Sequence, residues 1–100
     1  MAHYLYILKS LKDERLYTGC TANVPERIRN HNRGGTPSTR HRRPFQLIYV
    51  EEYPDRTTAL ARERELKSLE VGAAKFDLVA QQTPEMVAAT QMRWLGETQR

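Results

Sequence analysis

One cysteine, Cys20, stands in 100 residues, which excludes an internal disulfide framework and a cysteine-rich zinc site. The longest unbroken apolar run, Tyr4 to Leu8, falls far short of the ~20 residues a helix needs to cross a bilayer. The first residues carry no basic segment leading into a long apolar stretch, the pattern of a secretory signal. These absences lead us to expect a cytoplasmic, reducing setting and no membrane contact. No internal repeat or low-complexity segment stands out. With 39% apolar and 28% charged residues, the composition is that of a globular protein, and the length suits one hydrophobic core.

Charge is unevenly placed. The net charge is +4, yet between Val24 and Arg43 six arginines (Arg27, Arg29, Arg33, Arg40, Arg42 and Arg43) face Glu26 alone. The guanidinium is a planar fork of donors that suits phosphate oxygens, so a polyanionic partner is the natural expectation. A solvated basic loop is the plainer alternative.

The pattern along the chain predicts an order of β-β-α-β-α-α-α. His3 to Lys9 alternates with period two and is apolar on both faces, as in a strand covered on both sides. Leu11 to Glu14 reads as a turn and Arg15 to Cys20 as the return strand of a hairpin. Asn23 and Glu26 form a capping-box pattern with Pro25 in the first turn, opening a helix that runs to about Asn32. Gly34 to Pro44 is a loop, and Phe45 to Tyr53 a third strand. Thr57 or Thr58 opens a second helix through Leu69, Gly72 breaks it, and Ala73 to Gln82 is a third. Thr83 caps a tail helix whose Met86, Val87, Met92, Trp94 and Leu95 make it amphipathic. The expected fold is α+β (mixed α/β): a small, three-stranded, mainly antiparallel sheet flanked by helices.

Several of these residues together resemble the GIY-YIG nuclease superfamily, in its small stand-alone bacterial branch. Tyr4-Leu5-Tyr6 and Tyr17-Thr18-Gly19 are similar to its paired motifs, Arg27 follows Tyr17 by ten residues, and His31 by four more. Thr39-Arg40 and Arg42-Arg43-Pro44 precede the third strand, and Arg62 to Lys67 lie on the next helix. The likeness runs from about Ala2 to Val79. It implies a nuclease unit over residues 1–79, with residues 80–100 a C-terminal helical extension on the same domain. It also implies a site of Tyr6, Tyr17, Arg27, His31 and a metal-binding Glu63. Two departures stand out: Cys20 occupies the position of a lysine in the related excision-repair nuclease domain, and the first motif reads Tyr-Leu-Tyr.

Chemistry fits these side chains. If Ser10 pairs with Arg15, Tyr17 lies opposite Leu8, and Tyr6 is its diagonal neighbour about 7–8 Å away. Arg27 and His31, four apart, share a helix face; an arginine there can take two phosphate oxygens. Tyr17 is the expected general base, supported by Tyr6. A free phenol ionises near pH 10, and a nearby cation favours the phenolate. Glu63 would hold Mg²⁺ (or Mn²⁺), which commonly binds one or two carboxylates plus water and phosphate; its plainer role is an i,i+4 pair with Lys67. Glu65 is a weaker metal candidate, and Lys75, although it could line the far side of the cleft, is not counted in the site. Arg29, Arg33, Arg40, Arg42 and Arg43 would grip flanking phosphates. The expectation is a metal-dependent endonuclease acting on DNA, with RNA left open. It would be structure-selective or weakly sequence-specific, in repair or recombination. Its rivals are an inactive nucleic-acid-binding module of the same fold and a protein-interaction module using the Met86–Leu95 tail.

Overall fold

The computed structural model describes residues 1–68 and 72–96. In chain order they form β1 (His3–Ser10), β2 (Leu16–Thr21), α1 (Val24–Asn32), a 3-10 turn (Arg40–Arg42), β3 (Phe45–Tyr53), α2 (Arg56–Lys67), α3 (Gly72–Ala80) and α4 (Pro84–Leu95). The three strands make one antiparallel sheet in the order β2-β1-β3. This is the α+β architecture that the sequence pattern predicts.

Central β1 explains its own composition. Leu5, Tyr6, Ile7 and Leu8 are all buried because helices cover both sides of the sheet. On one face Tyr6 and Leu8 pack with Val24 and Ile28 of α1 and with Phe45 and Leu47, flanked by Tyr4 and by Trp94 and Leu95 of α4. On the other, Leu5 and Ile7 pack with Leu66 of α2, flanked by Leu16, Cys20, Tyr49 and by Leu78 and Val79 of α3.

The hairpin register follows from its turn. Ser10 N–H donates to the Arg15 carbonyl at 2.9 Å, which sets Leu8 opposite Tyr17 and Tyr6 opposite Gly19. Ser10 Oγ accepts from the amides of Lys12 and Asp13 at 3.1 and 3.2 Å and donates to the Arg42 carbonyl, tying the turn to the basic loop. Strand β3 carries a bulge: Ile7 pairs with Tyr49 but Leu8 with Leu47, leaving Ile48 over. The extra residue keeps Leu47 and Tyr49 on the faces their neighbours need.

Helix starts differ from the sequence pattern in two details. Asn23 caps α1 by accepting from the Glu26 amide at 3.2 Å. The reciprocal half of the capping box is not made, because Asn23 N–H is spent on Thr21 Oγ1 at 3.0 Å and the Glu26 carboxylate turns to Arg29 and Arg33. Helix α2 is capped by Asp55 rather than by Thr57 or Thr58; its carboxylate accepts from both the amide and the hydroxyl of Thr58 at 2.8 Å. The expected end at Leu69 lies outside the described residues. In α4, Met86 and Met92 are 45% and 54% exposed, not part of the apolar face. The helix is seated instead by Trp94, edge-on to Tyr4 with centroids 4.7 Å apart, and by buried Gln91, whose amide donates to the Leu47 carbonyl at 3.4 Å. None of the described helices is long and apolar enough to cross a membrane.

Candidate active site

Two groups of side chains meet around edge strand β2. The first lies on the α1 face. Tyr6 and Tyr17 stand with ring centroids 6.4 Å apart, and the His31 ring sits edge-on to both, 5.9 Å from Tyr6 and 5.0 Å from Tyr17. Tyr6 Oη is 3.0 Å from His31 Nε2, and His31 Nδ1 is 3.0 Å from Thr39 Oγ1. The histidine is there because Val24, Ile28 and His31 form one buried stripe of α1, at the i, i+4, i+7 spacing of a core-facing helix. Phe45 closes the far side at 5.8 Å. Gly19 makes room for the phenol: a Cβ at this position would stand 2.5 Å from Tyr6 Oη, well inside van der Waals contact.

Burial governs the protonation of this group. Removal from water and then the nearby Arg27 charge hold the His31 imidazole down to about 4, so it is neutral at pH 7. Burial and then Tyr17 push the Tyr6 phenol well above its ordinary range, so it keeps its proton. Tyr17 is half-buried, and its hydroxyl has no hydrogen-bond partner among the described residues. The Arg27 side chain is exposed and forms no ion pair among the described residues, although its charge is felt at both Tyr6 and His31.

The second group lies on the α2 face and reaches around the β2 edge. Lys67 Nζ donates to Glu63 Oε2 at 2.6 Å, one turn apart on α2, and the same ammonium stands 5.8 Å from the Tyr17 ring centroid. Lys67 thus links the two groups. Burial opposes ionisation of Glu63, but the hydrogen bond from Lys67 and then the nearby Cys20 thiol hold the carboxyl below its usual range. The Cys20 thiol, donating to the Ala59 carbonyl at 3.4 Å, is pushed up to about 12 by burial and then by Glu63. It is neither a ready nucleophile nor a cation in the position of the missing lysine. Lys75 has its pKa lowered by burial and then by Lys67, which places two ammonium groups on this side. Glu65 is exposed and lies 4.0 Å from Arg62.

No cluster of three or more His, Cys, Asp or Glu able to hold a metal occurs among the described residues. A lone, half-buried carboxylate already paired to a cation fits one kind of metal, a hard ion such as Mg²⁺ that retains water and takes its remaining ligands from phosphate. It does not suit a tightly caged ion.

The basic segment divides in two. Arg29 and Arg33 are held by Glu26 at 3.3 and 3.1 Å. Arg42 is turned inward, 3.3 Å from Asp13 and 5.9 Å from the Phe45 ring centroid, and fixes the loop to the hairpin. Arg40 and Arg43 are exposed and, among the described residues, form no ion pair. A cleft of about 400 Å³, lined in part by Lys9, Gln46, Val87 and Gln91, contains none of the tyrosine cluster. Around β2, Arg27 and Lys67 are exposed and Tyr17 and Glu63 half-buried, so this part of the candidate site is reached from solvent.

Two contributors escape a reading of the sequence alone. Thr39 belongs to a recognised motif but has no evident role until the loop folds back onto His31. Lys67 reads only as the partner of Glu63 until its ammonium is seen over the Tyr17 ring.

Residues 2–72 match the GIY-YIG catalytic domain family. The chain is 45% identical over 82 residues to a UPF0213 protein of Natronomonas pharaonis, covering 81% of this chain and 94% of the relative. It is 48% identical over 67 residues to a UPF0213 protein of Staphylococcus haemolyticus, covering 66% and 80% respectively. The solution NMR structure of a UPF0213 protein from Bacillus halodurans superposes with a TM-score of 0.54 at 34% identity, covering 98% of this chain and 100% of that one.

Proposed function

The chain belongs to the GIY-YIG catalytic domain family, a family of nucleases, and on that footing we propose that it is a metal-dependent endonuclease that hydrolyses DNA phosphodiester bonds. The observation that carries this reading is Tyr17: a half-buried phenol with its hydroxyl uncommitted among the described residues, 5.0 Å from the His31 ring and beside the Lys67 ammonium. In the proposed step Tyr17, as phenolate, accepts a proton from the attacking water. The water oxygen bonds to phosphorus, the bond to the leaving oxygen breaks, and that oxygen takes a proton from solvent. Arg27 grips the non-bridging oxygens through its guanidinium fork. Tyr6, fixed by His31, bounds the cluster and holds it in shape, so little reorganisation is needed as charge develops. Lys67 supplies positive charge beside Tyr17. Glu63 would hold a Mg²⁺ or Mn²⁺ ion, which when bound supplies charge neutralisation on the leaving side.

Arg40 and Arg43 would contact flanking phosphates. Such contacts position a nucleic acid without reading its sequence, which supports structure-selective or weakly sequence-specific cleavage of the kind DNA repair or recombination uses. We place this activity in the cytoplasm.

The test is cleavage of labelled single-stranded, duplex and branched DNA in Mg²⁺ or EDTA, beside Glu63→Ala. The reading predicts nicking in Mg²⁺ that EDTA abolishes and that Glu63→Ala loses while remaining folded. Salt-sensitive binding without cleavage at any metal concentration would instead assign the chain as a binding module of the same fold.

A further inference from the structure

Tyr6, His31 and Thr39 are at most 1% exposed, and their polar atoms are linked in a row from β1 through α1 to the basic loop. A neutral imidazole carries one proton, so it donates at one nitrogen and accepts at the other. The two ends of the row decide which. At one end, a buried phenol must place its proton on an acceptor, because an unsatisfied donor costs the full desolvation of the group. His31 Nε2 is the only hydrogen-bond partner of the Tyr6 hydroxyl among the described residues. At the other end, the Thr39 hydroxyl donates to the Thr36 carbonyl at 3.4 Å, leaving its oxygen to receive a proton from His31 Nδ1. The opposite arrangement would leave the Tyr6 proton without an acceptor and ask the Thr39 proton to leave Thr36.

We infer that Thr39 is a positioning residue: it fixes His31 with its proton on Nδ1 and a bare Nε2, which commits the Tyr6 O–H to His31 and leaves the Tyr6 oxygen as an acceptor at the Tyr17 edge of the cluster. The inference rests on the nuclease reading for its consequence and on the buried row for its geometry. Tyr6 is then neither the base nor a spare donor. It is a fixed acceptor beside Tyr17, its oxygen seated in the space that the missing side chain of Gly19 provides. The role also accounts for Thr39 in the pair Thr39-Arg40: Arg40 faces solvent, where it would meet phosphate, while Thr39 faces inward.

The test reads the imidazole directly. Long-range proton–nitrogen correlation spectra distinguish a bare from a protonated ring nitrogen, and the His31 signals are assigned by their loss in His31→Gln. The expected result is a bare Nε2 and protonated Nδ1 in the unsubstituted protein. In Thr39→Val, the same size without the hydroxyl, the pattern should become mixed or reverse, and in Thr39→Ser it should be kept. DNA cleavage should follow the tautomer, falling about 10- to 100-fold in Thr39→Val, the range seen when partners that orient metal-bound imidazoles are lost, and returning in Thr39→Ser. A proton on Nε2 in the unsubstituted protein would overturn the inference even if Thr39→Val failed to fold. So would an unchanged tautomer and rate in a folded Thr39→Val. If the unsubstituted protein cut no DNA, the nuclease reading would fail on its own, and the spectra would still decide the role of Thr39.

Discussion

Tyr6 spends its hydroxyl inside the protein on His31, whereas Tyr17, on the neighbouring strand, leaves its hydroxyl free among the described residues. The two phenols therefore answer differently to the loss of one oxygen. Tyr6→Phe leaves a buried imidazole nitrogen unpaired, which costs about 1–3 kcal/mol, so urea midpoint and cleavage should fall together. Tyr17→Phe should leave stability within about 0.5 kcal/mol and abolish cleavage alone. His31 gives a second expectation, in pH. Its imidazole lies at about 4 against an ordinary 6.5, so between those values the unfolded chain binds the proton and the folded one does not. Stability is then full above pH 6.5 and falls toward pH 4, by up to about 1.4 kcal/mol per pH unit. Urea midpoints should fall between pH 6.5 and 5, and His31→Gln should flatten that slope whatever its absolute stability. The spacing of Arg27 and His31 is legible in the sequence, and so in hindsight is the burial of His31, on the stripe of Val24 and Ile28. Its partner Thr39 is not, because the contact depends on how a loop of eleven residues, Gly34 to Pro44, folds back.

Among the elements, the hairpin is the most readable: Ser10 opposite Arg15 sets every pair of β1 with β2. The bulge at Ile48 is not readable, since Leu47-Ile48-Tyr49-Val50 is apolar throughout and its pattern does not reveal an inserted residue. Helix α4 misleads for a related reason. Its seated residues, Val87, Gln91 and Trp94, keep helical spacing, but a glutamine in the middle disguises the stripe while Met86 and Met92 suggest a false one. Because Trp94 and Leu95 pack, partly buried, against the α1-side core, and fully burying a large apolar side chain contributes about 1.5–3 kcal/mol, truncation after Gln82 should cost about 1.5–3 kcal/mol. Urea denaturation followed by circular dichroism checks this. An unchanged midpoint would favour α4 as a docking helix for another protein.

Across the whole molecule, the charge excess of the Val24–Arg43 segment survives folding only in part. Glu26 holds Arg29 and Arg33 along α1, and Asp13 holds Arg42 from 29 residues away, a pairing that composition does not disclose. Arg27, Arg40 and Arg43 carry the free positive surface among the described arginines of this segment. Arg40→Ala and Arg43→Ala should each reduce the slope of log affinity for DNA against log salt by about 1 with stability unchanged. Arg42→Ala should lower the melting temperature by releasing the loop from the hairpin. The account stands or falls on chemistry around β2, and single-turnover cleavage of a labelled DNA substrate by the unsubstituted protein and by Tyr17→Phe, in saturating Mg²⁺, tests it most directly. The account predicts cleavage by the first and, from an equally folded second protein, binding of the same DNA without cleavage. Equal cleavage by both would contradict it.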